Sequence, residues 1–172
     1  MSAAARIARR LTRPVVLTAL VALPLALGSL DAFRDDHALL INASPSLPNW
    51  AFWLDRNAPI GRGSLIFFEA PRSELVARHF GESPQLFGKR VLGVPGDRVS
   101  HEGPDVFING RKVATRLLAT RLGIVLTPGP EGTIPPGCFY AGSDHPRGLD
   151  SRYGAIGFVC RGQIFGSGRA IL

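Results

Sequence analysis

Seventeen consecutive uncharged, mostly apolar residues run from Pro14 to Leu30, bounded by Arg13 and Asp31, and nothing else in the 172-residue chain restricts its fold as strongly. A run of this kind is buried in protein, inserted in a membrane or removed with a leader. Its length sits at the short end for a spanning helix and slightly beyond the apolar core of a cleaved signal peptide. Ala26-Leu27-Gly28 offers a cleavage site, so length alone leaves both membrane readings open. Charge orients the segment: Arg6, Arg9, Arg10 and Arg13 precede it and Asp31, Asp35 and Asp36 follow. That asymmetry argues against a buried core helix and predicts a cytoplasmic amino terminus with the rest of the chain on the far side. The reading adopted divides the chain into an Arg-rich amino terminus (1–13), a transmembrane signal-anchor (14–30) and one exported domain (31–172).

The net charge of +7 invites a nucleic-acid reading, but four of those charges lie in the first 13 residues, leaving +3 for the other 159. With 45% hydrophobic and 19% charged residues the composition is globular, and no internal repeat or low-complexity run interrupts it. The mildly basic body lacks interleaved aromatic and basic residues, so no nucleic-acid partner is expected. A basic exported protein gripping anionic groups through arginines is the non-enzymatic alternative. Of the 20 basic residues only Lys89 and Lys112 are lysine. Arginine keeps its proton in a protein, whereas a buried lysine can lose it.

Beyond the apolar segment the chain reads as short strands punctuated by Gly and Pro. Ser64 to Phe68 is a β-favouring run, and Ser73 to Phe80 is the one short helical candidate. Arg90 to Val94 leads into a Pro95-Gly96-Asp97 turn, followed by strands at Arg98–Ser100 and Asp105–Ile108 and an Asn109-Gly110 hairpin turn before Val113. Thr127 to Pro136 reads as a loop, with a last strand near Ile164-Phe165. The expected fold class is mainly β, a folded-over or barrel-like sheet.

Cys138 and Cys160 each lie in a strand-like run of the exported part, where a disulfide between neighbouring strands or two buried thiols are both possible outcomes. His37, His79, His101 and His145 are scattered without ligand spacing, so neither metal nor cofactor is expected. Trp50, Phe52 and Trp53 read either as a membrane-facing rim or as ordinary core.

Three segments carry chemistry. In Asn42-Ala43-Ser44-Pro45-Ser46-Leu47-Pro48, the fixed φ of Pro45 and Pro48 holds Ser46 in a defined turn. In the stretch Lys89 to Val99, Lys89 opens an apolar strand, where desolvation lowers its pKa towards that of a general base. The polar stretch Gly142 to Gly154 holds Asp150 and Arg152, spaced to pair and fix a loop. A Ser46, His145 and Asp144 or Asp150 triad is the rival enzyme reading, with no recognisable motif around His145.

In this order, after a membrane segment, the three segments resemble the bacterial type I signal peptidases, and among them the TraF-type peptidases of conjugative transfer systems. The resemblance runs from the apolar segment to about Gly157. Its most specific parts are Lys89 to Val99 and Asp150-Ser151-Arg152, and Asn42 to Pro48 matches the serine box with Leu47 where many relatives carry methionine. It implies a signal-peptidase-like β fold and a serine/lysine dyad at the outer face of the bacterial inner membrane, with the catalytic domain in the periplasm. Ser46 would be the nucleophile and Lys89 the general base, the Ser46 N–H and the Ser44 hydroxyl would form the oxyanion hole, and Asp150 and Arg152 would support the site. The implied substrate is an exported precursor protein, a conjugative pilin in the TraF-type case, with cyclisation of the product as one fate of the acyl-enzyme. An inactive relative serving as a pilus-assembly scaffold is the alternative within the same resemblance. Three departures from the pattern stand out: Trp50 replaces a glycine, Tyr153-Gly154-Ala155 replaces tyrosine-phenylalanine-glycine, and Gly148 stands where many relatives carry a lysine-orienting serine. Lys89 therefore needs another hydrogen-bond partner.

Overall fold

The structure, a computed structural model, describes residues 18, 20, 22–25, 27–41, 47–84 and 86–171. Residues 1–13, part of the 14–30 segment, and Ser44 and Ser46 lie outside the described residues. The chain divides into two compact units, Met1–Ala38 and Leu39–Leu172. In the first, the described residues from 18 to 36 are helical, and the ring of Phe33 stacks on His37 at 4.4 Å. Among the described residues no helix is long and apolar enough to cross a membrane.

The second unit is built on two antiparallel sheets. The strands are β1 (His37–Ile41), whose first two residues belong to the first unit, β2 (Ala51–Asp55), β3 (Leu65–Glu69), β4 (Leu86–Gly93), β5 (Arg98–Glu102), β6 (Asp105–Ile108), β7 (Arg111–Thr115), β8 (Gly132–Thr133), β9 (Cys138–Gly142), β10 (Val159–Cys160) and β11 (Ile164–Ala170). The larger sheet has the order β1-β2-β11-β3-β4-β9-β10 and the smaller β7-β6-β5-β8. Both orders have free ends, which corrects the barrel-like expectation: neither sheet closes. After β10 the chain makes a short 3-10 turn, Arg161–Gln163, and β11 then inserts between β2 and β3 instead of joining the outer edges.

Several local expectations match the structure for identifiable reasons. At the Pro95-Gly96 turn the Asp97 N–H donates to the Val94 carbonyl at 3.1 Å, with Gly96 at φ 89°, a conformation that favours glycine. Asn109 and Gly110 adopt φ 51° and 76°, the two positive values that match a two-residue turn to strand twist. The helix Glu74–Phe80 starts at Ser73, whose hydroxyl accepts from the Val76 N–H at 3.2 Å.

Other expectations need correction. β4 begins at Leu86, so Lys89 lies within the strand and does not open it; Phe87, Lys89, Val91 and Gly93 alternate as its buried positions. The Thr127–Pro136 loop contains β8, which pairs Gly132 with Val99. Phe52 is 2% exposed against Phe67, because β2 is covered on that face, whereas Trp50 stays 57% exposed. The three aromatics therefore form no common rim.

β9 joins the two halves of the core. Phe139 and Ala141 pack with Ile66, Phe68 and Val91, while Cys138 and Tyr140 pack with Val99, Val106, Ile108 and Ile134. Period-two alternation thus sends one strand's side chains into two clusters, and all five residues are buried. Cys138 lies opposite Cys160 in the β9–β10 ladder, and a disulfide joins them.

Candidate active site

Lys89 belongs to an interior strand, paired with Ile66 of β3 on one side. On the other side β9 pairs Gly142 with Arg90 and Ala141 with Val91. Its side chain is 4% exposed. The ammonium lies 5.7 Å from the centre of the Phe87 ring, and no carboxylate among the described residues forms an ion pair with it. Burial lowers its pKa from the usual 10.5; the negative charge of Asp150 opposes that shift and the positive charge of Arg152 assists it. A lysine so placed carries a neutral amine over a wider pH range than one in water, as a proton acceptor requires.

The two charges that act on it form a buried pair. Arg152 donates from Nε to Asp150 Oδ1 at 2.8 Å and from Nη2 to Oδ2 at 2.9 Å, a two-pronged pairing. The same Nη2 reaches the Ser143 carbonyl at 2.7 Å, and Nη1 reaches the Thr115 carbonyl at 3.2 Å. Asp150 Oδ2 also accepts from the Ser143 N–H at 3.1 Å and the Ser143 hydroxyl at 3.2 Å. Burial works against the Arg152 charge, but the hydrogen bond and charge of Asp150 outweigh it and raise the Arg152 pKa. Between these two, Ser151 is locked to β9: its N–H donates to the Ala141 carbonyl and its hydroxyl accepts the Ala141 N–H, both at 2.9 Å. The trio is therefore part of the sheet's hydrogen bonding and not a free loop.

The structure brings Lys89, Asp150 and Arg152 into one electrostatic neighbourhood. Ser44 and Ser46 lie outside the described residues, but the residue following Ser46 does not. The Leu47 Cδ1 sits 3.0 Å from where a Cβ on Gly88 would stand, so the end of the Ser44–Pro48 segment packs on the strand residue next to Lys89. Of the rival triad, Ser46 lies outside the described residues; among the described ones His145 Nδ1 accepts from the Arg147 N–H at 3.2 Å, and Asp150 is bonded to Arg152 and Ser143. Sequence reasoning left out Ser143, whose signal was its place at the end of β9, across from the lysine strand.

A family model described as signal peptidase, peptidase S26, matches residues 11–172, and the chain belongs to that family. It is 33% identical over 120 residues to a signal peptidase I of Bacillus caldolyticus, covering 63% of this chain and 59% of that protein. It is 29% identical over 103 residues to signal peptidase I U of Bacillus subtilis, covering 56% of this chain and 54% of that protein. The chain thus spans under two thirds of the length of these relatives. Among solved structures, a signal peptidase I from Enterococcus faecalis is similar at 25% identity and a TM-score of 0.39, covering 64% of this chain and 97% of that one.

Proposed function

We propose that this chain is a membrane-anchored serine endopeptidase that cleaves exported precursor proteins with a Ser46/Lys89 dyad. The observation that carries the reading is Lys89 itself, a buried lysine that has no carboxylate ion-pair partner among the described residues and whose ammonium is disfavoured, on a strand against which the residue after Ser46 packs. In this mechanism the Lys89 amine takes the Ser46 hydroxyl proton as Oγ attacks the scissile carbonyl, then returns it to the leaving amine. The Ser46 N–H and the Ser44 hydroxyl donate to the oxygen that becomes negative in the tetrahedral state. Asp150 and Arg152 hold β9 and the following loop against the lysine. No cofactor or metal enters any step.

Segment 14–30 is the signal-anchor in this reading, with residues 1–13 in the cytoplasm and the domain 31–172 at the periplasmic face of the inner membrane. Ser46 follows Asp31, the first charge after the anchor, by 15 residues, which keeps the nucleophile near the bilayer surface where precursors emerge. Substrate binds as an extended strand at a sheet edge, with small side chains before the scissile bond. The resemblance to TraF-type peptidases points to a conjugative pilin as substrate. Water resolving the acyl-enzyme yields a linear product, and the substrate's own amino terminus yields a cyclic one.

The test is co-expression of wild type, Ser46→Ala and Lys89→Ala with a pilin precursor, followed by product mass. Loss of processing in both variants at normal membrane levels is the expected result, and unchanged processing in both overturns the reading. A product lighter than the hydrolysed chain by one water marks cyclisation. In the wild type kcat/KM is expected to rise with pH through the lowered Lys89 pKa, an acid limb at lower pH than a solvent-exposed lysine would produce.

A further inference from the structure

Gly148 faces a space that is already filled. A Cβ built on it would lie 2.2 Å from the Ser143 hydroxyl and 3.1 Å from Asp150 Oδ2. The Ser143 hydroxyl therefore occupies the volume that a side chain at position 148 would take. Ser143 is 7% exposed, and its Oγ donates to Asp150 Oδ2 at 3.2 Å. With that proton committed to the carboxylate, the oxygen lone pairs remain to accept from another donor.

The register identifies the donor. β4 and β9 pair Val91 with Ala141 and Arg90 with Gly142. Carried one residue further, the ladder sets Lys89 opposite Ser143, and directly opposed residues of antiparallel strands point to the same face with Cβ atoms about 5 Å apart. Both charged residues that bear on Lys89, Asp150 and Arg152, bond directly to Ser143, one to its hydroxyl and the other to its carbonyl.

We propose that Ser143 is the positioning residue for Lys89, its hydroxyl accepting an N–H of the lysine and linking it to the buried Asp150–Arg152 pair in the place a longer side chain at 148 would otherwise hold. This rests on Lys89 being the general base. When the amine takes the nucleophile's proton, the new ammonium gains an acceptor in Ser143 Oγ, while the serine proton stays on the Asp150 side. Catalytic hydrogen bonds of this kind often form fully only with substrate in place.

Because the chain has only two lysines, lysine labelled at the side-chain nitrogen gives two NMR signals, and Lys112→Arg assigns them. The full-length protein in detergent micelles is titrated as wild type, Ser143→Ala and the double variant Ser143→Ala/Gly148→Ser. The Lys89 midpoint is expected to fall in Ser143→Ala, which removes an acceptor for the ammonium, and to recover in the double variant, where the new serine enters the vacated space. In parallel, kcat on an internally quenched peptide with alanines before the scissile bond is expected to drop about tenfold to a hundredfold in Ser143→Ala with KM unchanged, and to recover in the double variant. If Ser143→Ala does not fold, Ser143→Cys, similar in shape and a weaker acceptor, is titrated in its place. An unmoved midpoint overturns the proposal, and so does a shift that the double variant does not reverse, since the serine would then act only through Asp150. If wild type itself leaves the peptide uncut, the proposed function fails while the titration still decides the Ser143–Lys89 link.

Discussion

Two aspartate–arginine pairs of the same chemistry sit in the second unit, and burial makes them different devices. Arg62 meets Asp97 at 2.6 Å with half of the arginine side chain exposed, and it clips a loop to the Pro95-Gly96 turn. Asp97 also accepts from the Val94 N–H and the Asn109 side chain, both at 2.7 Å, so the turn is tied to the β6–β7 hairpin. Asp150 and Arg152, by contrast, are 0% and 3% exposed, and beyond each other they bond to Ser143, through its backbone and its hydroxyl, and to the Thr115 carbonyl. Water can replace a lost partner at the first pair and cannot at the second. An exposed pair thus tunes a turn, whereas the buried one commits three chain segments to one arrangement around Lys89.

The largest effect is expected at the buried pair. Arg152→Ala leaves a carboxylate uncompensated in the core and is expected to lower unfolding free energy by about 3–5 kcal/mol, read from urea denaturation. A loss below 1 kcal/mol would place water at this pair. Asp97→Ala is expected to cost about 2 kcal/mol through its lost hydrogen bonds, measured the same way.

That second effect carries a pH signature. Burial works against the Asp97 charge, but bonds from Val94, Asn109 and Arg62 prevail and hold its pKa below the usual 3.8. Its contribution is therefore fully present above pH 3.8 and lost as pH falls through the lower native value, so wild type and Asp97→Ala should converge in acid. Arg62→Ala removes only the exposed partner and is expected to cost about 0.5 kcal/mol, less in 1 M salt; salt should leave the Arg152→Ala loss unchanged.

The smallest expected change is one of sign. Lys89 has a lower pKa folded than unfolded, so its burial weakens the fold fully below the native pKa, and the deficit shrinks as pH rises through that value and is gone above 10.5. Lys89→Met should melt at a higher temperature than wild type at neutral pH, with the gap closing in alkali. A lower melting temperature would mean that the ammonium is held by partners in the native state.

Turns and strand runs were legible because they depend on neighbouring residues. Pro95-Gly96 and Asn109-Gly110 specify φ directly, Ser73 caps its helix from three residues away, and the alternation around Val99 and Val106 specifies a buried face. The spacing of Asp150 and Arg152 suggested a pair, but its complete burial was illegible, since the groups that cover it come from Thr115 and Ser143. Lys89 was legible as a candidate base and misplaced at a strand end, because the pairing of Leu86, Phe87 and Gly88 with β3 is a contact between segments far apart in the chain.

By itself, then, the sequence determined where this chain turns and which short runs become strands, through local backbone preference and residue type, while Ser46 and Lys89 came forward as a proposed pair through the family resemblance. Only the tertiary structure decided that the last strand enters the middle of the larger sheet, that the sheets stay open, and that Ser143 fills the space beside Gly148. Those outcomes depend on contacts between residues far apart in the chain, where volume and hydrogen-bond satisfaction select a single arrangement that no local pattern encodes.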